Sequence, residues 1–315
     1  MEIKPSKVYY IKLGRGGRWE HESIKENQIL KFGYGKIPHD LCLRGEWEEV
    51  RKELRKRKDN EGVITRDINQ VKIFYEADEN VLWITFYANL LWWCFSKPEI
   101  TTIDNNRKIR PVIDKWKCTD VNGNELRTDR LRGSLVSIQA FRGTICSVKD
   151  AKYVINKING KTPPHVEEAH NALQELVNRL EKVIKDLDAK DFEILMDLIF
   201  RQAGWHRVSN LGGSQKTLDL DLISPITNKR YAVQVKSRAD LATFENYKNE
   251  FKDMQGYYQI YFAVHSPSQD LENYSETEDS EIEESETFKV ELLLPHRIAE
   301  LALKLGLTNW VLDKF

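Results

Sequence analysis

The chain has 315 residues, 41% of them hydrophobic and 31% charged, with a net charge of −1. This is the composition of a folded protein long enough for two domains, and it excludes an intrinsically disordered one. The neutrality conceals an asymmetry: residues 1–150 carry 28 Lys and Arg against 22 Asp and Glu, whereas residues 261–315 carry 4 against 12.

From the N-terminus, Met1-Glu2-Ile3-Lys4-Pro5 lacks the apolar core of a secretory signal. The longest apolar stretch, Val81 to Phe95, is interrupted and falls short of the roughly 20 residues of a spanning helix. A cytoplasmic protein with no membrane partner is expected. Cys42, Cys94, Cys118 and Cys146 form no C-x-x-C pair, so free thiols are expected rather than a zinc site or disulfides.

Residues 1–160 read as mostly β. Val8–Leu13, Val71–Tyr75, Val81–Tyr87, Leu91–Phe95 and Ser134–Ile138 are rich in β-branched and aromatic residues. Ala88-Asn89 predicts a tight hairpin, and Asn122-Gly123-Asn124 another turn. The spacing of Trp47 and Val50 makes the basic run Arg51–Lys58 the solvated end of a short helix. A small barrel or strongly curved sheet fits this half.

The linker Ile158–Pro164 separates this half from residues 161–315. Helical periodicity follows at Val166, Ala169, Leu173, Leu176, Leu180 and Ile184, then at Phe192, Leu195, Met196 and Ile199. Leu218–Ile223 and Arg230–Lys236 form a hairpin, Leu241 to Met254 a helix, and Tyr257–Val264 and Lys289–Leu294 strands. A helix from Arg297 follows Pro295, and the acidic run Glu276–Glu286 reads as an exposed loop. This half predicts a mixed α/β core.

The hairpin carries the chemistry. Asp219 and Asp221 alternate on its first strand, and Gln234 and Lys236 share one face of its second. Pairing can bring Asp221 beside Gln234, and Glu193 sits early in the preceding helix. Carboxylate and amide oxygens suit Mg²⁺, and a nearby ammonium stabilises charge on a phosphate under attack.

Phe192-Glu193, Gly204-Trp205, Asp221-Leu222-Ile223 and Val233-Gln234-Val235-Lys236-Ser237 together resemble the Mrr-like, Q-x-K branch of the PD-(D/E)XK restriction endonucleases. The resemblance covers about residues 188–265. It implies a restriction-endonuclease-like α/β core that binds Mg²⁺, or Mn²⁺, through Asp221 and Gln234. Lys236 would be the catalytic lysine and Glu193 the helical acid, with Asp219 the competing choice of aspartate. Leu211–Gln215 looks like the family's Gly-rich loop, although Lys216-Thr217-Leu218 stands where G-D-G-G is common.

The front half resembles a PUA-like or EVE-like barrel through Lys12–Glu20, the Leu82–Phe95 hairpin and Phe141–Ile145. That resemblance implies a reader of modified bases, with Arg15 and Arg18 on phosphates and Trp19, Trp83, Trp92, Trp93 and Trp116 available as pocket walls. The expectation is an Mg²⁺-dependent endonuclease that cuts modified DNA, as type IV restriction enzymes do, as a homodimer. The alternatives are a non-catalytic nucleic-acid binder, possibly of RNA, and a nuclease effector switched on by a nucleotide messenger.

Overall fold

The computed structural model describes residues 2–208, 218–252, 254, 256–274 and 289–315. Two units divide at the linker, Met1–Pro163 and Pro164–Phe315. Among the described residues no helix is long and apolar enough to cross a membrane.

Unit 1 is a mixed α/β unit built on one curled sheet. Its strands are β1 Lys7–Ile11, β2 Ile29–Phe32, β3 Val81–Tyr87, β4 Leu90–Ser96, β5 Thr101–Ile103, β6 Arg107–Lys117 and β7 Ile145–Ser147. They follow the order β2-β6-β4-β3-β1-β7, with β5 on β6. The long β6 pairs with β2 and β5 through its first half and with β4 through its second, which bends the sheet. The curl stays open, because its ends, β2 and β7, do not pair. The β3–β4 hairpin turns on Ala88 and Asn89, whose φ values of +51° and +61° suit a two-residue turn.

The helices of unit 1 are α1 His39–Leu43, α2 Trp47–Arg55, α3 Glu61–Glu76, α4 Gly133–Val136 and α5 Ala151–Ile158. Two expected strands are helical. Val71–Tyr75 is the end of α3, which Asn60 caps by accepting from the Val63 amide. Ile64, Ile68, Val71 and Phe74 are the buried stripe of that helix, so the β-branched run belongs to a 3.6-residue period. Ser134–Ile138 is a turn of α4 continued as a 3₁₀ turn.

Unit 2 is a second mixed α/β unit. Its five-stranded sheet comprises β8 His206–Arg207, β9 Leu220–Ile223, β10 Arg230–Ala239, β11 Gln259–Pro267 and β12 Lys289–Leu293, in the order β12-β11-β10-β9-β8. The β9–β10 pair is antiparallel, and β10, β11 and β12 run parallel. Its helices are α6 Pro164–Lys185, α7 Ala189–Gln202, α8 Leu241–Lys252, α9 Gln269–Glu272, α10 Pro295–Lys304 and α11 Thr308–Leu312. Apolar residues of α6, α7, α10 and α11 bury Leu220, Leu222, Val233 and Ala263 on one face. Phe244 and Phe251 of α8 and Leu271 of α9 bury Ala232, Ile260 and Phe262 on the other. Each such side chain contributes roughly 1.5–3 kcal/mol. The acidic run Glu276–Glu286 and the Leu211–Gln215 loop lie outside the described residues.

Candidate functional site

Helix α7 supplies one wall of a cleft in unit 2. Asp188 caps it, accepting from the Lys190 and Asp191 amides at 2.8 and 2.9 Å. Phe192, Leu195, Met196 and Ile199 turn inward, which leaves Glu193 and Asp197, one turn apart, on a different side. With Lys190, Arg207, Asp219 and Val235 they line a cleft of about 150 Å³. At ~30 Å³ per water, that volume holds an ion with a few waters.

The opposite wall is made where two strands part. β9 begins at Leu220, whereas β10 continues to Ala239, so the edge of β10 opens beyond Val233. Asp219 occupies that opening. Its amide donates to the Val233 carbonyl at 3.1 Å. Its carboxylate accepts from the Val235 amide at 2.6 Å and from Gln234 Nε2. Gln234 is buried, and its Oε1 has no hydrogen-bond partner. An acceptor buried without a donor costs free energy.

The expected pairing of Asp221 with Gln234 is corrected. The register sets Asp221 opposite Ala232 and brings Asp219 level with Gln234. The Asp221 carboxylate is engaged by Arg230 and Tyr257. That hydrogen bond raises the Arg230 pKa, while burial, then the charge of Asp221, raises that of Tyr257. Lys236 shares the Gln234 face, yet its Nζ lies over the Tyr247 ring of α8, 4.6 Å from the centroid, and it is not among the residues lining the cleft. Of the predicted set, Asp219 bonds Gln234 and shares the cleft lining with Glu193, whereas Gln234 itself, Asp221 and Lys236 do not line it.

Among the described residues no three His, Cys, Asp or Glu side chains form a ready metal cage. Asp219 and Glu193 line the cleft, Glu193 paired with Lys190 at 2.8 Å, and their oxygens, with the Gln234 amide oxygen, are of the hard type that Mg²⁺ takes. Sequence reasoning passed over Asp197, which ion-pairs with Arg201 at 2.8 Å and leaves Oδ1 without a hydrogen-bond partner. Its four-residue spacing from Glu193 was the available signal. His265 on β11 is buried against Phe192, and its Nε2 is unpartnered.

In unit 1, burial overturns most of the expected aromatic walls. Trp83, Trp92 and Trp93 are 0%, 5% and 5% exposed, because the sheet is packed on both faces. Trp92 Nε1 donates to the Tyr87 carbonyl and Trp93 Nε1 to that of Thr119. Trp116 is likewise core. Arg15 is exposed, while Arg18 and Trp19 line a separate basin within the unit.

No family model matches the chain, and no curated protein or solved structure matches it either.

Proposed function

We propose that the chain is a divalent-cation-dependent endonuclease of DNA, with unit 2 a restriction-endonuclease-like cutting core and unit 1 a PUA-like recognition domain. The observation that carries this reading is the Asp219–Gln234 contact at the opened edge of β10, facing the acids of α7 across a cleft. A half-turn of the Gln234 amide presents Oε1 beside the Asp219 oxygens, and these two residues, with Glu193, would hold Mg²⁺ or Mn²⁺. The bound ion would supply an acidified water and offset charge on the scissile phosphate. Asp219 orients that assembly by its bond to the Val235 amide. Lys236, on a flexible four-carbon stem, leaves Tyr247 and donates to the non-bridging phosphate oxygens.

With one such site per chain, cutting both strands calls for a homodimer. Type IV-like defence against modified DNA is the setting that the family resemblance favours. The test is nicking of supercoiled plasmid, unmodified, methylated, hydroxymethylated or glucosylated, in Mg²⁺ and in EDTA. Metal-dependent nicking that is lost in Asp219→Asn is the supporting result. Equal nicking by the variant, or in EDTA, overturns the reading.

One observation favours a second reading, a non-catalytic nucleic-acid binder: the Lys236 ammonium rests on Tyr247, outside the cleft. Binding of these substrates with no nicking in Mg²⁺ or Mn²⁺ would select it.

A further inference from the structure

Unit 1 contains a basin of about 900 Å³ whose charge is one-sided. Arg18, Lys36, Arg57 and Arg107 line it against a single carboxylate, Asp40. None of these four cations has a carboxylate within 4.0 Å among the described residues. The neighbours of Arg57 in the basic run behave differently. Arg51 and Arg55 pair with Glu61, Lys52 with Glu49, Lys56 with Glu53 and Lys58 with Asp67. Intramolecular pairing neutralises that run and leaves Arg57 free, facing the basin.

One ring supports two of the four cations. The Arg18 and Arg107 guanidinium carbons lie 4.8 and 5.1 Å from the Trp19 ring centroid. Trp19, 9% exposed in the basin lining, serves as the support that orients both arginines. Gly14 makes room for it: at φ +83°, a Cβ there would stand 2.8 Å from Trp19 Cδ2. The segment bearing Lys36 is tethered from beneath by the buried Lys108, whose Nζ donates to the Tyr34 and Ile37 carbonyls at 2.7 Å each. Side chains supported in this way lose less conformational freedom on binding.

We infer that this basin binds a nucleotide by its phosphates through Arg18, Lys36, Arg57 and Arg107, with Trp19 as a positioning residue. Guanidinium forks match phosphate oxygens in pairs. The volume exceeds what an inorganic anion fills and lies in the range of small-molecule sites. The apolar Ile37 and Pro38 leave room in the lining for the uncharged part of a nucleotide. The nucleotide can be part of a strand or free; the phosphate chemistry is the same. For the strand, the inference rests on the nucleic-acid part of the reading above, and it does not depend on the cleft.

The test uses the full chain in EDTA, which silences metal-dependent cutting. A short fluorescein-labelled single-stranded DNA is the probe, and nucleoside 5′-monophosphates and inorganic phosphate are competitors. Arg57→Gln and Arg107→Gln should each weaken binding about tenfold and lower the salt slope by about one. Arg127→Gln, whose guanidinium is paired with Asp129 and lines no part of the basin, should leave both unchanged. Trp19→Leu should weaken binding and make a further Arg107→Gln change nearly silent, while Trp19→Phe restores most of the affinity. For the free ligand, direct calorimetry with the monophosphates replaces the strand. Competition by monophosphates assigns a free nucleotide, and competition by unlabelled strand alone assigns the polymer. Wild-type affinity in the triple Arg18, Arg57, Arg107→Gln variant, folded by circular dichroism, overturns the inference. So does inorganic phosphate competing as well as every nucleotide. Loss of plasmid nicking in Asp219→Asn with unchanged binding would leave the cleft and basin readings independently standing.

Discussion

Arg110 on β6 is fully buried in unit 1, yet its guanidinium gives three hydrogen bonds, to the Lys97, Phe74 and Ala77 carbonyls, each at 2.8 Å. Gln234 in unit 2 is 5% exposed, and its Oε1 meets no donor. Both are polar groups taken out of water, but they end differently. Arg110 closes carbonyls at the end of α3, so its role is structural. Gln234 remains one bond short beside the Asp219 carboxylate. The comparison shows that two equally buried polar groups can differ in bonding: one is fully partnered and the other keeps one acceptor unfilled.

The sharpest way to break this contrast is at Asp219. Asp219→Asn should lower plasmid nicking in Mg²⁺ by about a thousandfold or more, a loss on the order of 4 kcal/mol of transition-state stabilisation. Its melting temperature should stay near that of the parent. Asp221→Asn, whose carboxylate is engaged by Arg230 and Tyr257 and does not line the cleft, should cut within about tenfold of the parent. If the two variants exchange these behaviours, the assignment of Asp219 is wrong.

Arg110→Met should destabilise unit 1 by about 3–5 kcal/mol, because two buried carbonyls and one part-buried carbonyl lose their donors together. Urea denaturation followed by circular dichroism measures this. A loss below about 1 kcal/mol would show that Arg110 does not hold the end of α3.

Lys108 gives a pH signature. Burial pushes its ammonium pKa down to about 8, from 10.5 in the unfolded chain. Between those values the unfolded chain keeps the proton and the folded one does not, so stability rises with pH through that window. Below pH 8 both states are charged and the burial cost is at its full size. Relative to Lys108→Met, the parent should gain on the order of 3 kcal/mol between pH 8 and 10.5, at ~1.4 kcal/mol per unit. Parallel stability profiles would mean that the ammonium is not desolvated.

The smallest expected change is Gly14→Ala. A left-handed φ and the close Trp19 ring should cost about 1–3 kcal/mol in urea denaturation and loosen the support of the two arginines. Unchanged stability would remove the packing argument for Trp19.

Much of unit 2 was legible because its signals are local. The Asp188 cap and the Phe192–Ile199 stripe announce α7, and the Val233-Gln234-Val235-Lys236 alternation announces β10. Unit 1 misled where a short β-branched run had two readings. Val71–Tyr75 is a strand by composition and a helix once Ile64 and Ile68 join its period. Its tryptophans could not be assigned to core or pocket, because that depends on what covers each face of the sheet.

The amino-acid order by itself determined the two-part organisation, the period of most elements and the small set of acids, amide and lysine from which a site could be made. It left open which aspartate joins Gln234, since Asp219 and Asp221 alternate identically along one strand. Only the tertiary structure chose between them, through the register of β9 on β10 and the arginine waiting for Asp221. Likewise, a row of charges shows how many cations there are, but ion pairs made across the fold decide which remain free. Local preference acts between neighbours along the chain, whereas partnership depends on distances that exist only after folding.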